Sequence, residues 1–252
     1  MRKIIEGNNI VKTYGKGKET ANVLDGVNIE ITKGEFIAVM GPSGCGKSTL
    51  LFTLSGMDSI NNGSVKFDNI ELSKLNDNKL ADIRRTKMGF VFQQPTMLKN
   101  LNLLDNIILP NIQADKKNVI GITHKAKSLM EKTGIAHLEK RNITEVSGGQ
   151  LQRAGICRAL MSTPEILFAD EPTGALNSKS ANEIMELFTA INKDGSSILL
   201  VTHDAKVAAR ADKAYFMKDG EIISELFMDK YNEENLELRT EKIITKMTNI
   251  EM

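Results

Sequence analysis

Only two cysteines occur in the 252 residues, Cys45 and Cys157, and neither stands in a C-x-x-C spacing. A disulfide framework and a thiolate metal site are both excluded, and a reduced compartment is the simpler expectation. Charge of neither sign predominates, since 33 basic residues face 32 acidic ones for a net of +1. Nucleic-acid binders usually carry a basic excess or stripe, so no nucleic acid is expected as a partner, and the Arg84-Arg85 and Lys87 cluster reads as a solvated face. Long apolar runs are lacking too. Phe36–Met40 and residues 166–169 and 198–201 are far too short to span a bilayer, and no charged-then-apolar leader precedes Ile10. If the protein works at a membrane, another polypeptide must supply the membrane. Repeats and low-complexity stretches are missing as well. Hydrophobic residues make up 41% of the chain, enough for a core, so a folded α/β unit spanning 1–252 is expected.

What the chain does hold is two sequences suited to negatively charged phosphate. Gly41-Pro42-Ser43-Gly44-Cys45-Gly46-Lys47-Ser48 follows the apolar run Phe36–Met40 and leads into Thr49-Leu50-Leu51. This is a strand, a glycine-rich turn and a helix start, matching G-x-x-x-x-G-K-[ST] in the context the chemistry needs. The glycines let the backbone curl so that successive N–H groups face phosphate. Lys47 would reach the terminal phosphates, and Ser48 would offer its hydroxyl to Mg²⁺. The second sequence, Ser147-Gly148-Gly149-Gln150, opens a helix-like stretch with Ser147 as candidate N-cap and two glycines baring the first backbone donors. Alone, it is no more than a capped turn.

Three apolar runs end in polar residues. Phe36–Met40 ends at the phosphate loop, residues 166–169 at Asp170-Glu171, and residues 198–202 at His203-Asp204. Continuous apolarity suits strands buried on both faces, as in a parallel sheet covered by helices. Ligands bind such sheets beyond the carboxyl ends of the strands. Lys47, Asp170, Glu171 and His203 are therefore expected to converge. Residues 4–32 and 63–70 use β-formers and suggest a separate antiparallel lobe. Residues 214–217 and 221–223 flank Lys218-Asp219-Gly220 as a hairpin. Residues 95–146 read as an inserted helical subdomain, and 225–252 as a charged C-terminal tail with Leu238, Ile243, Ile244 and Met247 near helical spacing.

In this order the motifs resemble the ATP-binding cassette ATPases, the motor subunits of membrane transporters, over residues 3–224. The resemblance implies a phosphate-loop, RecA-like sheet that is mostly parallel with helices on both faces, an antiparallel N-terminal lobe and a helical insert. Tyr14 looks like the aromatic that stacks on adenine, and residues 41–49 like the nucleotide-binding loop and helix start. Gln93 looks like the glutamine that contacts Mg²⁺ and the attacking water. Val146-Ser147-Gly148-Gly149-Gln150 is similar to the signature sequence. Asp170 looks like the Mg²⁺-binding aspartate, Glu171 like the residue that activates water, and His203 like the switch histidine. The family clamps ATP between the phosphate loop of one subunit and the signature helix of another. The resemblance thus implies ATP, Mg²⁺, a homodimer and a separate transmembrane permease subunit at the cytoplasmic face of the membrane. Residues 93–106 are expected to line the groove that receives a short helix of that permease.

Two positions depart from the family pattern. Val146 stands for leucine, a conservative apolar exchange. Asn177, in Gly174-Ala175-Leu176-Asn177, stands for an aspartate, and an amide can donate where a carboxylate only accepts. Within the family, Glu171-Pro172-Thr173-Gly174-Ala175-Leu176 and Gly89-Phe90-Val91-Phe92-Gln93 resemble most the branch with macrolide-efflux, lipoprotein-release, bacitracin-type resistance and cell-division ATPases. The Asn-, Lys- and Ile-rich character and the length beyond Glu225 lean toward bacitracin-type resistance. A nutrient importer ATPase is the nearest alternative. Soluble translation or repair cassettes carry tandem cassettes or a long coiled coil, and no sustained heptad run occurs here. A phosphate-loop GTPase would need an N-K-x-D sequence, which is lacking.

Overall fold

A computed structural model of the chain describes residues 2–15 and 20–250. Two long strands come first, β1 (Lys3–Tyr14) and β2 (Ala21–Thr32), then β3 (Phe36–Met40), α1 (Lys47–Leu54), β4 (Asn62–Phe67) and β5 (Ile70–Glu71). α2 (Asp77–Lys87) leads into β6 (Met88–Phe92), and three helices follow, α3 (Leu103–Ala114), α4 (Val119–Lys132) and α5 (Gly148–Leu160). The chain then alternates β7 (Ile166–Asp170), α6 (Ser178–Lys193), β8 (Ser197–Thr202) and α7 (Ala205–Ala208). The hairpin β9 (Lys213–Lys218) and β10 (Glu221–Phe227) precedes the final helix α8 (Leu236–Asn249).

Two sheets result. One is antiparallel and four-stranded in the order β2-β1-β4-β5; the other is six-stranded in the order β10-β9-β3-β8-β7-β6. All pairs of the second sheet are parallel except the β9–β10 hairpin at its edge. The period-two rule distributes the side chains of its central strands. Ile37, Val39, Phe168, Leu199 and Val201 face a core shared with the antiparallel sheet and α1. Their neighbours Ala38, Met40, Leu167, Ala169, Ile198 and Leu200 face the opposite core, where Ile184 and Phe188 of α6 and Ile243 of α8 cover them. Full burial of each large aliphatic side chain contributes about 1.5–3 kcal/mol, which is why an uninterrupted apolar run can form a stable strand here.

A third core joins Leu103 and Ile107 of α3, Ala126 and Met130 of α4, and Ala154 and Cys157 of α5. The helices expected within 95–146 therefore close on a helix that lies outside those bounds. Ile156 of the same α5 belongs to the main core, so α5 bridges the two. Burial pushes the Cys157 thiol up to about 11, against a hydrogen bond with Thr133.

The segment read as a charged tail from Glu225 is different in kind. β10 runs on to Phe227, and α8 docks on the sheet. Ile243 is fully buried, and the buried Arg239 donates to the Ala209 and Ala211 carbonyls at 2.5 Å each and to that of Asp229. Arg239, Ile243 and Met247 recur every four residues on one face, while Leu238 and Ile244 stay exposed. The hairpin forms as expected. Asp219 and Gly220 both have positive φ, 49° and 86°, which matches a tight turn to the twist of the two strands.

Candidate functional site

The parallel register sets four strand ends side by side. Met40 of β3 pairs with Thr202 of β8, and Asp170 of β7 with both Val201 of β8 and Phe92 of β6. The phosphate loop, Asp170-Glu171, His203 and Gln93 consequently leave the same edge of the sheet.

The loop is tightly built. A Cβ at Gly41 would lie 2.4 Å from the Met217 carbonyl oxygen, and one at Gly46 would lie 2.5 Å from that of Val23, so only glycine fits either position. The hairpin turn braces the loop from outside, with Gly220 N–H donating to the Cys45 carbonyl at 3.2 Å and Asp25 N–H donating to Gly220 at 3.0 Å. Gly46, at φ 102°, starts α1 without any side-chain cap, which leaves the first backbone donors of that helix uncapped. The Lys47 ammonium folds back on the loop and donates to the carbonyls of Gly41 and Pro42, both at 2.8 Å. Cys45 is buried beneath, and burial pushes its thiol up despite the pull of Lys47.

Across the loop, the Ser48 hydroxyl donates to Asp170 Oδ1 at 2.9 Å. Burial raises Asp170 above the usual aspartate range, and the adjacent Glu171 charge adds to this; Ser48 and Lys47 act in the other direction. The next residue, Glu171, has φ 46°. Its side chain turns to His203, whose Nδ1 lies 2.9 Å from Oε1. Gln93 leaves the end of β6 exposed, its amide nitrogen only 2.8 Å from where a Cβ on Gly174 would stand. Gln152 of α5 donates to the Phe92 carbonyl at 3.0 Å and steadies that strand end.

Tyr14 ends β1 with 44% of its surface exposed. Its hydroxyl donates to Asp58, and the ammonium of Lys12 lies 4.8 Å from its ring centroid. Neither Asp58 nor Lys12 stood out in the sequence, because nothing in their spacing links them to Tyr14.

The second phosphate-type sequence is a capped helix start. Ser147 is the N-cap of α5, accepting from Gln150 N–H at 3.3 Å, while the Gln150 side chain accepts from Ser147 N–H at 2.9 Å. Gly149 is packed so closely that a Cβ would lie 3.1 Å from Ser180 Oγ. Among the described residues no hydrogen bond or ion pair joins residues 147–150 to residues 41–48.

A cavity of about 390 Å³ opens between α2, β6, α3 and α5, lined by Met57, Arg84, Arg85, Phe90, Pro110 and Arg158 among others. None of residues 93–106 lines it. Leu103 is buried in the helical core and Met97 and Leu104 pack against it, whereas Leu98 is 50% exposed.

Strand order, glycine loop and acidic strand end define a phosphate-loop nucleoside triphosphatase. The sequence profile of the ABC transporter family matches residues 24–174, and the chain belongs to that family. It is 40% identical over 222 residues to the macrolide export ATP-binding/permease protein MacB of Mannheimia succiniciproducens, covering 88% of this chain but only 34% of that protein. The bacitracin export ATP-binding protein BceA of Halalkalibacterium halodurans is 40% identical over 224 residues, with 88% of each chain covered. The uncharacterized ABC transporter ATP-binding protein YvrO of Bacillus subtilis is 41% identical over 216 residues, covering 86% of this chain and 94% of that one. Among solved structures, the dimeric post-hydrolysis state of the cassette MJ0796 bound to ADP and Pi matches with a TM-score of 0.83 and 37% identity, over 90% of this chain and 100% of that one. The chain is an ATP-binding, ATP-hydrolysing cassette of the transporter type.

Proposed function

We propose that two copies of this chain drive an exporter of the antimicrobial-peptide resistance or macrolide type, hydrolysing Mg-ATP at sites each built from both copies. The observation that carries the reading is the separation of two half-sites. One chain holds the loop with its acidic edge, and among the described residues no hydrogen bond or ion pair ties the capped, glycine-bared start of α5 to that loop. Two copies arranged head to tail would bring each helix start to the other's loop, adding backbone donors and partial positive charge at the terminal phosphate. The dimeric cassette structures that the fold resembles support this arrangement.

In this reading the backbone of residues 41–49 cradles the phosphates, Lys47 leaves the Gly41 and Pro42 carbonyls for the terminal phosphates, and Tyr14 stacks on the base. Ser147, Gly148, Gly149 and Gln150 approach from the other copy. Glu171 orients water for attack on the terminal phosphorus and accepts its proton as the bond to the leaving phosphate oxygen breaks. His203 holds the Glu171 carboxylate in place. The oxygen donors present suit Mg²⁺, a hard cation that needs few protein ligands. Ser48 and Asp170 would hold it with Gln93 nearby, and the raised Asp170 carboxyl is a group that a cation would help to ionise. Bound there, the ion would neutralise phosphate charge.

The cavity beside Phe90, with its apolar floor and the arginines 84, 85 and 158, is the place for a short helix of a permease subunit. Such a partner would hold the chain at the cytoplasmic face of a membrane. Among the described residues no helix is long and apolar enough to cross one.

Mixing inactive variants tests the shared site. Chains carrying Lys47→Ala and chains carrying Ser147→Arg should each lack turnover, and the mixture should regain it, because one heterodimer site is then intact. A mixture as inactive as its components overturns the shared site. For the partner, Arg85→Glu should abolish co-purification with the permease while the isolated chain still binds ATP.

A further inference from the structure

The Tyr14 ring is held more firmly than an exposed strand-end aromatic needs to be. Lys12 and Tyr14 are two apart on β1 and so lie on the same face of the strand. Lys12 is buried, and its ammonium donates to Asp58 Oδ1 and to the Ser59 carbonyl, both at 2.6 Å. Asp58 uses both carboxylate oxygens. Oδ1 takes Lys12 and the Ser59 N–H at 2.8 Å, and Oδ2 takes the Tyr14 hydroxyl. With the ammonium 4.8 Å from the ring centroid, one face of Tyr14 is occupied by a buried cation and the phenol end is tied down. Among the described residues Lys12 is the one cation over the ring, and 44% of the Tyr14 surface stays exposed for a flat ligand.

We propose that Asp58 and Lys12 are positioning residues for nucleotide binding, which fix the Tyr14 ring at a set orientation and distance from the phosphate loop. The inference rests on the reading of Tyr14 as the base-stacking residue. α1 starts at Lys47 in the loop and ends at Leu54, four residues before Asp58, so one rigid element ties the phosphate end of the site to the base end. Its eight residues span about 12 Å. The charge states suit the task. The bond to Asp58 holds the Tyr14 phenol in its neutral form, raising it above the usual tyrosine range. Burial alone would raise Asp58, but the bonds from Lys12 and Tyr14 outweigh it and hold the carboxyl below the usual aspartate range. The clamp is thus an ionised carboxylate between an ammonium and a phenol, and a carboxylate accepts such bonds more strongly than a neutral group.

Dissociation constants of the purified full-length chain for Mg-ATP and for Mg-tripolyphosphate, which lacks base and sugar, separate the possibilities. Tyr14→Ala should weaken ATP by about tenfold, the loss expected for one base–aromatic stack. Tyr14→Phe, which keeps the ring and loses its tether, should weaken ATP about threefold, in line with one hydrogen bond. Asp58→Ala should do the same, and the double variant Tyr14→Phe/Asp58→Ala should be no worse than either single one. Tripolyphosphate binding should be unchanged in all of them. No effect of Tyr14→Ala overturns the base-stacking reading itself. An effect of Tyr14→Ala with none of Tyr14→Phe or Asp58→Ala overturns the positioning role and leaves the stacking reading standing. Equal weakening of ATP and tripolyphosphate by Asp58→Ala overturns it too, since a general loosening of the fold would do that. Should Asp58→Ala fail to fold, Tyr14→Phe decides alone.

Discussion

His203 Nδ1 and Glu171 Oε1 stand 2.9 Å apart, joining the ends of two neighbouring parallel strands, with His203 two-thirds exposed and Glu171 mostly buried. Glu171 reaches this place at a φ of 46°, a conformation that costs a non-glycine residue on the order of 1–2 kcal/mol. Two backbone bonds hold it there, Glu171 N–H to the Val201 carbonyl and Gly174 N–H to the Glu171 carbonyl, each at 3.0 Å. The strain turns the carboxylate off the β7 direction and toward β8.

Glu171→Gln keeps the shape and the backbone and removes the charge. Turnover should fall on the order of a hundredfold or more, as for loss of one preorganised electrostatic group. ATP should still bind, so an ATP-bound dimer should accumulate, visible by size exclusion with Mg-ATP. Near-normal turnover would remove Glu171 from its role.

Asp170→Asn should stabilise the nucleotide-free protein. The folded-state pKa of Asp170 is raised, so the neutral form is favoured in the folded chain. Its contribution to stability is present below the ordinary aspartate value and is lost as pH rises through the folded value. At pH 7 the native chain therefore carries an unfavourable charge that asparagine lacks, and asparagine still accepts from Ser48. The melting temperature without nucleotide should rise by about 2 °C at pH 7, and the gain should shrink toward pH 4. The extra stabilisation by Mg-ATP should be lost. A lower melting temperature for Asp170→Asn without nucleotide would contradict this.

The convergence of the strand ends could be read from the sequence because its parts are local. A glycine loop after an apolar run, or an acidic pair at a strand end, reports its own geometry, and the parallel register then brings the ends together without further information. Asp58 and Lys12 could not be read this way. Their link to Tyr14 exists only because β1 passes beside the loop that follows α1. How residues 93–106 are used is hidden for a similar reason. An apolar count over 93–106 cannot distinguish a groove lining from a core, and Met97 and Leu104 joined the core. α8 was read as a charged tail because its composition is polar. A single buried face of Arg239, Ile243 and Met247 is enough to dock it.

Arg239→Met tests that docking. The guanidinium satisfies three carbonyls, those of Ala209, Ala211 and Asp229, and methionine satisfies none. Each hydrogen bond from a charged donor contributes about 1.5–3 kcal/mol, so the melting temperature should drop by about 5 °C or more. Nucleotide affinity at 25 °C should be unaffected, since the carbonyls that Arg239 holds, those of Ala209, Ala211 and Asp229, belong neither to the loop nor to Asp170, Glu171 and His203. An unchanged melting temperature would show that α8 does not support the sheet.

Asn177 is the N-cap of α6, its side-chain oxygen accepting from Ser180 N–H at 2.9 Å. A carboxylate caps equally well, whereas alanine does not. Asn177→Ala should therefore cost about 1 kcal/mol of stability, and Asn177→Asp close to none. The two variants differ in charge as well. If residues 174–177 lie across from the other copy's phosphates, Asn177→Asp adds like charge there and should weaken ATP-driven dimerisation by a small factor. The same carboxylate is a stronger acceptor for water and should raise turnover at saturating ATP, again by a small factor. Melting temperature, dimer fraction with Mg-ATP and turnover in the assembled transporter separate the cap from the charge. Unchanged dimerisation and unchanged turnover in Asn177→Asp would leave Asn177 as a helix cap and nothing more.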